Sequence, residues 1–149
     1  TSQLFANIYL NEVDHFIKDS LGVKYYVRYM DDFVVFGDKR RLRDLYFEIK
    51  CFLHARLALQ FNSKTQIIKL TQGVDFCGYR IWTTHILPRK RTVKRAKKRF
   101  KLFVKLYECR KISLEKARSG IMSFMGYMKY CNGYRTLLSV MDKVILSHK

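Results

Sequence analysis

The run VKYYVRYMDDFVVFG, residues 23 to 37, constrains the fold more than any other part of the chain. It is crowded with Val, Tyr and Phe, which suit a pleated, half-buried surface, and Gly22 and Gly37 bound it. Such a run reads as two strands folded back on each other, with Met30 to Asp32 at or near the bend. The bend lacks the Asn-Gly or Asp-Gly of an ideal two-residue turn, so something other than turn chemistry has a part in choosing its residues. Aspartate is a poor strand former and neighbouring carboxylates repel. Asp31 and Asp32 therefore either mark a plain turn or wait for a positive partner.

The flanking segments have helical periodicity. Leu4, Phe5, Ile8, Tyr9, Val13, Phe16, Ile17 and Leu21 recur on one stripe before Gly22, with Thr1 or Ser2 placed to cap the helix. Asp38 stands as the cap of a second helix, whose stripe is Leu42, Leu45, Tyr46, Ile49, Phe52 and Leu53. Its first turn holds Lys39, Arg40, Arg41 and Arg43, the wrong sign for a helix N-terminus, and a solvated face is favoured over a phosphate contact. LALQFNSKTQIIKL and GVDFCGYRIW then predict a short strand pair, with Asn62-Ser63 and Thr71-Gln72-Gly73 as turns. The expected fold class is α+β, an antiparallel sheet with two covering helices followed by a small helical bundle.

Pro88 is the only proline and marks the expected end of the sheet portion and a hinge. After it, RKRTVKRAKKRFKLFVK packs ten Lys and Arg into residues 89 to 105 with no acid, while Val93, Ala96, Phe100, Phe103, Val104 and Tyr107 keep a helical stripe. That pattern predicts a folded basic helix. Ser113 with Glu115 opens another helix, containing Ile121, Phe124, Met125 and Met128 and ending near Asn132-Gly133, with the methionines as core filler. A last helix is expected through Leu137, Leu138, Met141, Val144 and Ile145. The domains divide accordingly at 1–87 and 88–149.

Charge follows the same division. Residues 1 to 79 hold 11 basic and 9 acidic groups, net +2, and residues 80 to 149 hold 19 and 3, net +16. A back end of that kind seeks a polyanion, and nucleic acid is the commonest. No apolar run approaches the roughly 18 residues of a membrane span, and a cytoplasmic location is expected. Cys51, Cys77, Cys109 and Cys131 are spaced too widely for a zinc knuckle or a disulfide scaffold. Cys51 and His54 have ligand-like spacing but fall in a helical pattern, where a lone Cys is usually a small core residue. Reduced, structural thiols are expected.

An Asp-Asp pair alone is more often a turn than a site. Context changes the balance. In order, SQLFANIYL, YMDD within an aromatic hairpin, LALQFNSKTQI, VDFCGYRI and a basic helical segment resemble the second half of a reverse transcriptase, an RNA-directed DNA polymerase. In that family these are palm elements followed by the thumb. The whole resembles bacterial enzymes of the diversity-generating retroelement or group II intron type, and Ser2-Gln3, where group II intron enzymes usually show Ser-Pro, together with GVDFCGYRIW and SFMGYMKYCNGYRTL, is most similar to the diversity-generating retroelement type.

The resemblance implies two Mg²⁺ ions in a complete enzyme, with Asp31 as a ligand and Asp32 supporting the site or sharing in ligation. Ser2, Gln3 and Asn7 would line the nascent base pair and template, beside Tyr29 and Met30. Lys64 would lie near the nucleotide's phosphates as a catalytic cation, though a solvent-facing loop residue is an equal reading. Phe76, Cys77, Gly78 and Tyr79 match the primer grip. Tyr79 and Trp82 are each open to stacking or to a core role, with core favoured for Trp82. Arg89, Lys90, Arg91, Lys94, Arg95, Lys97, Lys98, Arg99 and Lys101 would meet the nucleic-acid backbone. Implied partners are an RNA template with a DNA primer, deoxynucleoside triphosphates and a retroelement accessory protein, with no membrane.

The chain departs from the family by beginning inside the Ser-Gln element. The fingers and the strand with the first catalytic aspartate precede that element in complete enzymes, and Glu12, Asp14, Asp19 and Asp75 do not lie in a segment resembling it. The expectation is that this chain alone does not polymerise, and that the uncovered sheet edge invites a homodimer. A non-catalytic RNA-binding module, and a structural protein whose Asp pair is only a turn, are the readings from other classes.

Overall fold

The computed structural model describes residues 2–142 and 144–145, with the Ser2 side chain outside the description. The proposed caps at Thr1 and Ser2 therefore lie outside it. Among the described residues the chain is α+β, with five α-helices and two small antiparallel sheets of two and three strands. It divides into two compact units, Thr1–Lys69 and Leu70–Lys149.

In the first unit, α1 (Ser2–His15) runs into a wider π-helical turn (Phe16–Ser20). Gly22 follows at φ +61°, a left-handed geometry that glycine adopts at low cost. β1 (Tyr26–Tyr29) and β2 (Asp32–Val35) form the hairpin, and α2 (Lys39–Leu57) closes the unit. The core is Val13 and Ile17 from the first helical segment with Leu45, Ile49, Leu53 and Leu57 from α2. Tyr26, Phe33 and Val35 pack onto it from the hairpin. Burying each such aliphatic side chain contributes about 1.5–3 kcal/mol, which makes this cluster the anchor of the hairpin.

Several local expectations change. The first half of the α1 stripe is not core: Leu4, Phe5 and Ile8 are 62%, 64% and 61% exposed, because α2 and the hairpin pack only against its later turns. Tyr9 is half-exposed and donates its hydroxyl to the Leu57 carbonyl at 2.7 Å. Asp38 occupies the cap position of α2, but its carboxylate makes no capping hydrogen bond. No strand forms over residues 58–69. α2 ends through Ala58 at φ +50°, and Asn62 instead builds a turn, accepting from the Lys64 N–H at 3.0 Å through its side chain. A single sheet was expected, and the loss of that strand leaves two separate sheets.

The second unit holds β3 (Val74–Phe76), β4 (Tyr79–Ile81) and β5 (Ile86–Pro88), paired in that order. Gly73 at φ +75° leads into the sheet, with the Trp82 ring 2.6 Å from where a Cβ would stand. Three helices follow, α3 (Lys90–Glu108), α4 (Leu114–Met128) and α5 (Tyr134–Met141). Ala96 and Phe100 of α3 meet Ile121, Phe124 and Met128 of α4 and Val140 of α5 in one cluster. Gly120 lets α3 and α4 approach closely, since a Cβ there would fall 2.4 Å from Phe103 Cε2. Ser113 caps α4 as expected, its hydroxyl accepting from the Lys116 N–H at 3.2 Å.

Pro88 ends the sheet portion as expected, as the buried last residue of β5, paired with Tyr79. A proline is tolerated at that edge because it has no N–H to leave unpaired. α4 ends earlier than expected, and Gly133 is the cap of α5. Val144 and Ile145 lie beyond the last helix. Met128 is core, but Met122 and Met125 are exposed. Cys51, Cys77 and Cys109 are exposed rather than buried, and all four thiols are free. Among the described residues no helix is long and apolar enough to cross a membrane.

Candidate functional site

The hairpin places its acids at the tip. Tyr29 pairs with Asp32, which leaves Met30 and Asp31 as a two-residue turn. Met30 has φ +55° and Asp31 does not share that sign, the φ pattern of a II′ turn whose first position usually falls to glycine. Asp31 and Asp32 are both exposed, and among the described residues neither carboxylate has an ion-pair partner. Tyr29 and Met30 are exposed beside them.

A polar clamp behind the tip was not anticipated from the sequence. Arg28 Nε and Nη2 donate to Asp14 Oδ1 and Oδ2 at 2.8 and 2.5 Å, a bidentate pair. Arg28 Nη1 donates to Asn7 Oδ1 at 3.1 Å and to the Met30 carbonyl at 2.8 Å, and Tyr26 donates its hydroxyl to Asp14 Oδ1 at 2.6 Å. Arg28 holds the Asp14 carboxyl below its ordinary pKa, while burial and the Asp14 hydrogen bond push the Tyr26 phenol up. Two signals pointed to this clamp. Arg28 occupies the same strand phase as inward-facing Tyr26, and Asn7 and Asp14 are seven residues apart on one helix face.

The sign of the pH effect follows from the lowered Asp14 pKa. The stabilising contribution is fully present above the unfolded carboxylate value and is lost as pH falls through the lowered folded value. The Arg28 Nε–H resonance, followed by ¹⁵N NMR from about pH 6 to about pH 2, is expected to hold its position down to the ordinary carboxylate range and to collapse below it. Collapse well above that range would contradict the clamp.

Magnesium takes a near-octahedral shell of oxygens. Asp31 and Asp32 supply adjacent exposed carboxylates, and among the described residues no group of three or more His, Cys, Asp or Glu is arranged to hold a metal. The pair fits a share of one ion's shell and does not fit a two-ion cluster. Cys51 and His54, both exposed on α2, belong to no such group either.

The remaining predicted residues fall at three places. In the first unit, Gln3 and Asn7 are exposed on α1, Asn7 engaged by Arg28, and Lys64 is exposed in the Asn62 turn. In the second, Cys77 and Gly78 form the β3–β4 turn with φ of +47° and +87°, the positive pair of a I′ turn. Tyr79 donates to the Tyr127 carbonyl at 2.8 Å and Tyr127 donates to the Gly78 carbonyl at 2.6 Å, their rings stacked at 4.7 Å. Tyr79 is thus committed to α4, and burial pushes its phenol up. Phe76 is half-buried and Cys77 exposed. Trp82 is half-buried, stacked on His85 at 4.6 Å with its N–H on the Thr71 carbonyl.

The third place is α3, whose cations fall into two groups. Arg99 donates to the Gly120 carbonyl at 2.7 Å, Lys97 donates to Ser139 Oγ at 3.0 Å, and Arg89 lies 3.6 Å from Asp75. These flank the apolar stripe and bind the helix to its neighbours. Lys90, Arg91, Lys94, Arg95, Lys98, Lys101 and Lys105 are exposed on the opposite face and, among the described residues, have no acidic partner. At 1.5 Å per residue this ridge runs about 22 Å. Sequence periodicity predicted the basic face but not the division into anchoring and free cations.

No known protein family matches this chain. No curated protein matches it either.

Proposed function

We propose that the chain is the palm hairpin and thumb portion of an RNA-directed DNA polymerase, with the first unit presenting carboxylates and the second tracking duplex phosphates. The observation that carries this reading is the hairpin tip, where Asp31 and Asp32 stand exposed and, among the described residues, without an ion-pair partner, on a turn braced from behind by Arg28. A plain turn does not need a half-buried guanidinium to hold it. The free ridge of α3 supports the nucleic-acid half, because sequence-independent binding comes from Lys and Arg meeting phosphates.

In this reading the chain's residues orient rather than complete the chemistry. Asp31 and Asp32 offer oxygens, and Lys64, in its exposed turn, offers a cation for phosphate charge. A further carboxylate from another segment is required for two Mg²⁺ ions, which in the complete enzyme would activate the primer's 3′ hydroxyl and balance charge on the departing pyrophosphate. Primer extension on an RNA template, with a segment bearing that carboxylate strand supplied, is expected to give product that Asp31→Ala abolishes, by at least about 10³-fold. Unchanged synthesis would reject the assignment.

The second reading is a non-catalytic RNA-binding module. It is favoured by the absence of a metal-holding cluster among the described residues beside an extended cationic ridge. In the same experiment it predicts RNA binding with no product under any complementation.

A further inference from the structure

Arg28 makes more contacts than an ion pair needs. Two of its nitrogens satisfy Asp14, and the third is spent on Asn7 Oδ1 and the Met30 carbonyl. Its side chain is only 14% exposed. The turn it grips is one that the local sequence does not favour, since Met30 takes φ +55° without being Gly or Asn. Left-handed geometry at such a residue persists when the surroundings hold it. Here the Arg28 guanidinium, anchored on α1 through Asp14, holds the Met30 carbonyl.

We propose that Arg28 is the positioning residue of the hairpin tip: with its fork fixed by Asp14, it grips the Met30 carbonyl and Asn7 and sets where the Asp31 carboxylate stands relative to α1. The same group thus joins the helix face carrying Asn7 to the turn carrying Asp31. The inference rests on the reading of Asp31 as a cation-facing carboxylate and adds the residue that aims it. Lysine cannot replace this function, because a point ammonium lacks the planar fork that reaches several acceptors at once.

The test uses the chain with its methionine methyl groups ¹³C-labelled and Mn²⁺ as the probe ion, read by paramagnetic broadening of the Met30 methyl signal. In the unsubstituted chain Mn²⁺ is expected to broaden that signal, and Asp31→Ala to remove the effect. Arg28→Lys, which keeps a charge opposite Asp14, is expected to retain the circular dichroism of the fold and shift the Met30 methyl. It should also raise the Mn²⁺ concentration for half-broadening about tenfold, in line with lost outer-sphere support at a metal site. A Mn²⁺ response in Arg28→Lys equal to that of the unsubstituted chain would overturn the positioning role and leave the reading of Asp31 standing. No broadening in the unsubstituted chain, or equal broadening in Asp31→Ala, would overturn that reading and the proposal with it. Should Arg28→Lys unfold, Asn7→Ala on the exposed face of α1 takes its place. A weaker Mn²⁺ response there supports the proposal, and an unchanged one overturns it.

Discussion

Replacing Lys94, Lys98, Lys101 and Lys105 together with alanine is expected to flatten the salt dependence of duplex binding. Seven cations without an acidic partner among the described residues, Lys90, Arg91, Lys94, Arg95, Lys98, Lys101 and Lys105, line the outer face of α3. If each neutralises one phosphate, log Kobs falls with log salt at a slope of about −6, and affinity drops about 10³- to 10⁴-fold between about 50 and about 200 mM salt. The quadruple variant keeps three, so its slope should be about −3 and its loss over the same range only some tens of fold. Alanine is the best helix former, and the four lysines are exposed, so the fold should survive. Fluorescence anisotropy with a labelled RNA–DNA duplex measures both slopes. Equal slopes would mean that the ridge is a solvated face.

Phe100→Ala should have the largest effect on stability. Phe100 is 1% exposed, sits edge-on to Phe124 with centroids 5.5 Å apart, and lies in the cluster joining α3, α4 and α5. Emptying such a site costs about 3–5 kcal/mol, most of what an unaided unit of this size has in hand. Trp82 is the only tryptophan and lies in the same unit, so its fluorescence in urea reports that unit alone. The midpoint is expected to fall by about 3 M, taking a slope near 1 kcal/mol per M. A shift under about 1 M would show that the unit does not depend on this cluster.

What was legible in the sequence was largely what depends on local pattern. The hairpin, α2 and the amphipathic basic helix follow from periods of 2 and 3.6 over long segments, and Ser113 declared its cap. The failures came where tertiary context decides. Leu4, Phe5 and Ile8 have the same spacing as Val13 and Ile17, and only the placement of α2 and the hairpin separates exposed from buried. Residues 58–69 are rich enough in apolar and β-branched residues to read as a strand, but the Asn62 turn finds no partner strand and none forms. β5, three residues long, was not read from the sequence, although Pro88 does end the sheet there; Asn132 accepts from the Ile86 N–H and donates to its carbonyl.

At the candidate site the sequence revealed the acids and not what aims them. Arg28 precedes the tip by two residues and Asp14 lies fourteen positions earlier, so no local motif links them. The tip lacks glycine because Arg28 supplies from outside the support that a glycine turn would not need. Likewise Arg99 and Lys97 cannot be told from their neighbours in a string of cations. The helices beside α3 select them, through the Gly120 carbonyl and the Ser139 hydroxyl.

On the proposed reading the carboxylate tip meets the 3′ end of a primer on its template. Photocrosslinking tests it directly, with p-benzoylphenylalanine in place of exposed Tyr29 or exposed Lys98 and an end-labelled DNA primer on an RNA template. Crosslinks from position 29 should map to the primer's 3′-terminal nucleotide, and those from position 98 report duplex binding by the second unit. Crosslinks from position 29 that scatter evenly along the duplex, or that fail to form while position 98 reacts, would contradict the account.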